Sequence, residues 1–102
     1  MTYHIVISDR AKQMLASHIR FLAKVSKSAA VETKQQIIRE IRSLSQMPQR
    51  FPFFNEIYLP PNKYHKMYIE KWYLVLYQIR DDTVYVDYIL DCRKDYSWLI
   101  PS

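Results

Sequence analysis

Residues 72–90 read Trp72-Tyr-Leu-Val-Leu-Tyr-Gln-Ile79, then Arg80-Asp-Asp-Thr83, then Val84-Tyr-Val-Asp-Tyr-Ile-Leu90. The two outer runs are rich in Val, Ile, Leu and Tyr, which favour strands, and a short polar segment separates them. This pattern predicts an antiparallel hairpin. Shortly after it the chain places a guanidinium, a carboxylate and a phenol at Arg93, Asp95 and Tyr96. We therefore expect charged chemistry where the sheet ends.

The segment before the hairpin predicts one strand followed by two helices. Tyr3 to Ile7 is rich in β-formers, and Ser8 can cap a helix that begins after it. After a break at Ser26-Lys-Ser28, apolar residues recur at helical spacing from Ala29 to Met47, where Pro48 ends the second helix. Two helices joined by so few residues lie antiparallel, and their apolar faces need a sheet to cover them.

Residues 48–62 hold four of the five prolines and three phenylalanines, which predicts an irregular connection pinned to the edge of the core. Tyr64 to Ile69 follows as a second strand, with a turn at Glu70-Lys71. The prediction is a single α+β domain over residues 1–102 with the order β-α-α-β-β-β. A helical hairpin packs on one face of a four-stranded, mainly antiparallel sheet, and a short turn or helix follows at the C-terminus. The other sheet face is expected to be open and to carry the function.

The second strand has two possible phases. If Met67 and Ile69 point to the helices, Lys66 lies on the open face, whereas the opposite phase exposes His65 instead. The first phase buries the aliphatic residues, so we favour it. It makes Lys66 the candidate cation of this strand.

Composition excludes several classes of site. The chain has no glycine, which rules out phosphate loops of the Walker and dinucleotide types. Its one cysteine, Cys92, cannot form an internal disulfide, and no metal-ligand spacing is present, so we expect neither a metal nor a cofactor. No apolar run reaches the ~18 residues of a membrane span and no leader pattern is visible, which predicts a cytoplasmic protein without a membrane partner.

The formal charge of +5 favours acidic partners such as nucleic acid or an acidic protein segment. Residues 1–50 carry nine Lys/Arg and three Asp/Glu, a net of +6, whereas residues 51–102 carry six and seven, a net of −1. The basicity therefore lies on the first half, away from Arg93. It indicates either a binding face on the helices or a dispersed solvated surface.

The order of elements, the hairpin and the segment Ile89-Leu-Asp-Cys-Arg-Lys-Asp-Tyr96 together resemble the RelE/ParE superfamily of bacterial toxins over essentially the whole chain. Members are the toxin halves of type II toxin–antitoxin pairs. The resemblance thus implies a growth inhibitor neutralised by a cognate antitoxin. RelE-like members cut messenger RNA on the ribosome and ParE-like members inhibit DNA gyrase, so both targets are open at this point.

Metal-free RNA cleavage requires cations for the phosphate and groups that move protons. Arg93 can clamp a phosphate in a bidentate way, Tyr96 can orient or protonate, and Lys66 can add a second cation. Asp95 occupies the place of a general base in related toxins, although Arg93 beside it would lower its pKa and make it a weak base. These four residues are the candidate catalytic residues.

One position departs from the nuclease pattern. RelE-like nucleases usually carry an arginine where this chain has Leu74. If Leu74, Leu76 and Gln78 lie on an open face, that surface suits a protein partner better than RNA. A different possibility is a basic α+β nucleic-acid-binding module without toxicity, which the +6 half of the chain would support.

Overall fold

A computed structural model describes residues 2–56 and 59–93 of the chain. Its regular elements are β1 (His4–Ile7), α1 (Asp9–Val25), α2 (Lys27–Arg42), β2 (His65–Ile69), β3 (Tyr73–Arg80) and β4 (Thr83–Asp91). This confirms the predicted order of one strand, two helices and three strands. The C-terminal turn or helix was predicted for residues outside the described ranges. Neither helix in the described part is long and apolar enough to cross a membrane.

The four strands form one mixed sheet in the order β1-β4-β3-β2. β2 and β3 are antiparallel, as are β3 and β4, whereas β1 lies parallel to β4. The register along β3 and β4 moves from Leu76 opposite Tyr88 to Tyr77 opposite Val86, so Asp87 is an extra residue in β4. The sheet therefore contains a β-bulge near its middle.

A single residue separates the two helices. The backbone N–H of Ser26 donates to the carbonyl of Leu22 at 2.8 Å and so caps the end of α1. Its hydroxyl oxygen accepts from the N–H of Ala29 at 3.2 Å and caps the start of α2. One serine thus caps both helix ends, which places the two helices next to each other as a tight antiparallel hairpin.

The predicted end of α2 at Met47 is wrong. The helix ends at Arg42 and continues as a 3-10 turn over Ser43–Ser45. The Ser43 hydroxyl donates to the carbonyl of Glu40 at 2.6 Å, a local bond that competes with regular helix geometry. Met47 lies in the left-handed region with φ of 49°, as the residue before Pro48 avoids the right-handed helical region.

The main core lies between the helices and one face of the sheet. Its fully or nearly fully buried residues are Ala11, Leu15, Ile37, Ile41, Leu44, Met67, Ile69, Tyr73, Val75, Tyr77, Val84, Val86 and Ile89. Met67 and Ile69 belong to this cluster, which confirms the predicted phase of β2. Lys66, which alternates with them, points to the other face.

The expectation of an open second face is wrong for the centre of the sheet. Leu74, Leu76 and Leu90 are 0% exposed, because they pack against Phe54 and Tyr64 from the long connection. The Phe54 N–H donates to the carbonyl of Tyr64 at 2.7 Å, which folds the connection back on itself over the sheet. The leucines therefore form a second small core and offer no apolar docking surface.

Because the chain has no glycine, other residues adopt left-handed backbone geometry in its turns. Asn62, Glu70 and Asp81 have φ values of 58°, 53° and 55°. Asn62 ends the predicted irregular connection and Asp81 falls in a predicted turn, and asparagine and aspartate tolerate this geometry better than most residues. Glu70 begins the predicted turn between β2 and β3.

Candidate functional site

Arg93 emerges just beyond β4 and is bound to the last residue of that strand. Its backbone N–H and its Nε donate to Asp91 Oδ1 at 2.9 and 3.1 Å, and Nη2 donates to Oδ2 at 3.0 Å. The Asp91 side chain is 2% exposed and that of Arg93 is 40% exposed. The carboxylate is therefore buried and held by a bidentate, charge-assisted pair.

Aromatic side chains and a histidine surround this ion pair. The guanidinium lies over the Trp72 ring, 4.8 Å from its centroid. His18 of α1 is buried, and its Nε2 donates to the carbonyl of Ile89 at 2.7 Å. The Arg93 side chain is thus fixed from several directions.

The electrostatics of the pair favour its charged form. Burial alone would raise the pKa of Asp91, but hydrogen bonds from the side chain and backbone of Arg93, its charge and that of His18 hold this pKa below its usual value. The hydrogen bond to Asp91 raises the pKa of Arg93 in turn, against the opposing effect of burial. Asp91 is consequently ionised at neutral pH and neutralises the arginine.

Lys66 lies on the other side of the sheet. Its backbone N–H donates to the carbonyl of Pro52 at 2.9 Å, and its ammonium lies 5.8 Å from the centroid of the Phe54 ring. Asp91 pairs across the sheet with Tyr73, which belongs to the helix-facing core, so the Arg93–Asp91 pair is held on the helix side. The structure therefore separates Lys66 from the Arg93 guanidinium.

The remaining candidate residues were Asp95 and Tyr96, and both lie outside the described ranges. Their catalytic roles stay predictions, as do those of Arg93 and Lys66. Leu74, where related nucleases carry an arginine, is buried in the second core and contributes no polar group. Within the described part of the chain, no group of three or more His, Cys, Asp or Glu could hold a metal ion.

A groove between the helices and β1, which the sequence analysis did not identify, offers a second candidate surface. We call it the basic groove: its apolar floor and basic rim consist of Ile7, Leu15, Ala16, Ile19, Ile38, Lys12, Arg20 and Lys34, and it encloses about 440 Å³. A second depression of α2, which shares Lys34 and Ile38 with it, adds Arg39 and Arg42. The net charge of +6 in the first half of the sequence is the signal for this surface, because its cations all come from that half.

A third surface lies at the β-bulge. We call it the bulge pocket: it is lined by Ser8, Arg10, Lys63, Tyr64, Gln78, Asp87 and Tyr88 and encloses about 500 Å³. Sequence patterning gave no sign of it, because a bulge changes which side chains meet without changing the alternation that predicts a strand.

Comparison with known proteins gives a family. A family model described as the ParE toxin of the type II toxin–antitoxin system parDE matches residues 5–96. No curated protein matches the chain. A solved structure described as the chromosomal ParDE TA system from P. aeruginosa superimposes with a TM-score of 0.73 at 13% identity, covering 88% of this chain and 96% of that one. At this identity the superposition establishes the shared fold.

Proposed function

Since the chain belongs to the ParE toxin family of type II toxin–antitoxin systems, we propose that it arrests growth in the cytoplasm by inhibiting DNA gyrase. Cleavage of messenger RNA is the alternative. The observation that supports gyrase is the bidentate pair between Arg93 and the buried Asp91. An arginine that is already committed to a carboxylate is poorly placed to clamp a phosphate.

The surroundings of this pair support the same choice. Metal-free RNA cleavage needs cations that converge on one phosphate, and removal of one such contact typically lowers kcat by about 10²- to 10³-fold. Here Lys66 lies on the opposite face from the Arg93–Asp91 pair, and Leu74 replaces the usual arginine. A toxin that acts by binding another protein has no need of these converging charges.

Two assays, one with purified toxin and one with cells that express it, separate the targets. Purified toxin is added to DNA gyrase and relaxed plasmid, and supercoiling is expected to fall with increasing toxin. In parallel, messages from cells expressing the toxin are mapped for in-frame cuts and are expected to be intact. Normal supercoiling at saturating toxin, together with ribosome-dependent cuts that Arg93→Ala abolishes, would establish the nuclease instead. Absence of any growth defect on induction would favour a non-toxic nucleic-acid-binding module.

We further propose that the cognate antitoxin neutralises the toxin by laying an acidic amphipathic segment in the basic groove. The groove combines an apolar floor at Ile7, Ile19 and Ile38 with a rim of Lys12, Arg20 and Lys34. Within the described residues these three cations form no ion pair with a carboxylate. A segment with an apolar face and acidic edges complements both features.

Charge reversal on the rim tests this docking site. The double variant Lys12→Glu with Lys34→Glu should bind the antitoxin, identified as the product of a cotranscribed small reading frame that protects cells, at least 10-fold more weakly by calorimetry. The matched control is Lys24→Glu with Lys27→Glu, which makes the same charge change at exposed positions outside the groove. Equal affinity of the groove variant and the wild type would place the antitoxin elsewhere.

A further inference from the structure

The bulge in β4 places the Asp87 carboxylate among the groups that line the bulge pocket. Because Asp87 is the extra residue, it has no partner of its own in the register with β3. Its side chain instead accepts from Gln78 Nε2 at 2.6 Å, and its charge acts on the Tyr64 phenol. Burial, followed by the charge of Asp87, raises the pKa of Tyr64 to about 12, so this phenol keeps its proton at neutral pH.

The first turn of α1 is fastened to the same bulge. The N–H of Ser8 donates to the carbonyl of Val86 at 2.9 Å, and its hydroxyl donates to the carbonyl of Asp87 at 3.3 Å. This attachment fixes Arg10 above the pocket, with its guanidinium 4.8 Å from the centroid of the Tyr88 ring. The pocket is thus formed jointly by the start of α1, the residues just before β2, and strands β3 and β4.

Two cations, Arg10 and Lys63, border the pocket. The Lys63 ammonium lies 5.3 Å from the centroid of the Tyr64 ring, and that ring meets Tyr88 edge to face at 5.9 Å. Arg10 and Lys63 are both exposed, and within residues 2–56 and 59–93 neither forms a salt bridge. Asp87 is the one carboxylate among the lining residues, and Gln78 already donates to it. The rim therefore presents net positive charge to an incoming group.

We propose that the bulge pocket is the surface by which this toxin holds its target, and that it receives an acidic side chain of a protein between Arg10 and Lys63. The proposal that the target is a protein rests on the function proposed above. A cation lies over one face of each tyrosine ring, which leaves less ring surface for nucleobases to stack on. A run of phosphates would also meet Asp87, whereas a single carboxylate can pair with the guanidinium and stay clear of it.

The test is the double variant Arg10→Gln with Lys63→Gln, compared with Lys24→Gln and Lys27→Gln on the exposed helical surface. The first is expected to lose toxicity, with at least a 10-fold rise in surviving colonies after induction, and to need at least 10-fold more protein for half-inhibition of gyrase. The control should match the wild type in both assays. Circular dichroism and antitoxin binding should be unchanged in either variant, because the basic groove is a separate surface.

Several results would overturn the proposal. One is full toxicity of the folded double variant. If that variant fails to fold, Lys63→Glu alone replaces it, since this side chain is exposed, and full toxicity there is equally decisive. Binding of a single-stranded oligonucleotide by the wild type, measured by fluorescence anisotropy and lost in the double variant, would assign the pocket to nucleic acid. Growth arrest without gyrase inhibition, abolished in the double variant, would uphold the pocket and refute gyrase as the target.

Discussion

At the scale of single residues, the Arg93–Asp91 pair has consequences for stability. Replacing Arg93 with Gln leaves a carboxylate that is 2% exposed without its counter-charge. We expect the free energy of unfolding to fall by about 1–3 kcal/mol, less than for a fully buried pair because the arginine is partly solvated. Urea unfolding at pH 7 measures this, with Lys71→Gln in an exposed turn as the control. An unchanged midpoint for the Arg93 variant would mean that the pair is only a surface contact.

The same pair predicts a pH dependence. The pKa of Asp91 is depressed in the folded state, so its contribution is present above the ordinary carboxyl pKa of about 4 and is lost as the pH falls through the lower folded value. The stability difference between the wild type and Arg93→Gln should therefore shrink below about pH 4. Unfolding curves from pH 7 down to pH 3 test the sign. A stability difference that grows on acidification would contradict a lowered pKa of Asp91 in the folded state.

Substitutions of Leu74 test whether this residue matters as part of the core or only as the position where a catalytic arginine is missing. Leu74→Ala should cost about 2–5 kcal/mol, as for other buried leucines. Leu74→Arg, which restores the residue type of the nucleases, should be at least as destabilising because it buries a charge among Phe54, Tyr64 and Leu90. Thermal unfolding and an RNA cleavage assay measure both effects. Stable folding with newly gained cleavage in Leu74→Arg would refute this account.

Sequence reasoning succeeded at this scale where the signal was local. The alternation of aliphatic residues in β2 correctly placed Lys66 away from the helices. It failed for Leu74 because alternation distinguishes the two faces of a strand but does not show what covers each face. The cover comes from residues 51–64, whose proline-rich sequence has no period to read.

At the scale of elements, the connection from α2 to β2 is fastened to the sheet by side-chain bonds. The Tyr77 hydroxyl donates to the carbonyl of Pro48 at 2.7 Å, and His65 Nδ1 donates to the carbonyl of Phe51 at 2.7 Å. The His65 ring also stacks on Tyr77 with 5.2 Å between centroids. The histidine that the other strand phase would have exposed is therefore a buried anchor.

Removal of one anchor should loosen this connection measurably. Tyr77→Phe deletes a buried donor and leaves the Pro48 carbonyl without it, so we expect a loss of about 1–2 kcal/mol in unfolding free energy. Hydrogen exchange should speed up at Arg50, whose N–H donates to the Met47 carbonyl. Tyr85→Phe is the matched control on β4, where the ring carries Arg80 rather than a buried hydroxyl bond. Equal stability of the two variants would contradict the anchoring role.

The predicted elements agree with the structure in kind and order, and differ at their ends. Helical periodicity continues through Leu44, but the backbone leaves the α-helix at Arg42 because the Ser43 hydroxyl and the residue before Pro48 favour other geometries. The hydrophobic pattern of the sequence reveals neither the Ser43 side-chain bond nor the backbone preference of the residue before Pro48. The basic groove and the bulge pocket were not predicted for a related reason, since both depend on how elements meet in space.

At the scale of the whole molecule, charge distribution determines how association should respond to salt. The rim of the basic groove belongs to the half of the chain that carries +6, so binding of an acidic antitoxin should weaken as ionic strength rises. We expect the Kd to increase at least 10-fold between low salt and about 0.5 M, where the Debye length is only about 4–5 Å. Titration calorimetry at several salt concentrations measures this. A Kd independent of salt would point to a purely apolar interface.

The parallel pairing of β1 with β4 has a consequence for the order in which the molecule is made. Among the strands of the described residues, β1 comes first along the chain, yet its partner in the sheet, β4, comes last. A contact between such distant parts of the chain forms late and slows folding. The finished sheet, and with it the bulge pocket that joins the start of α1 to β4, therefore cannot exist on a nascent chain that has not yet reached residue 88. Any partner that needs the bulge pocket can therefore bind only after synthesis has passed this point.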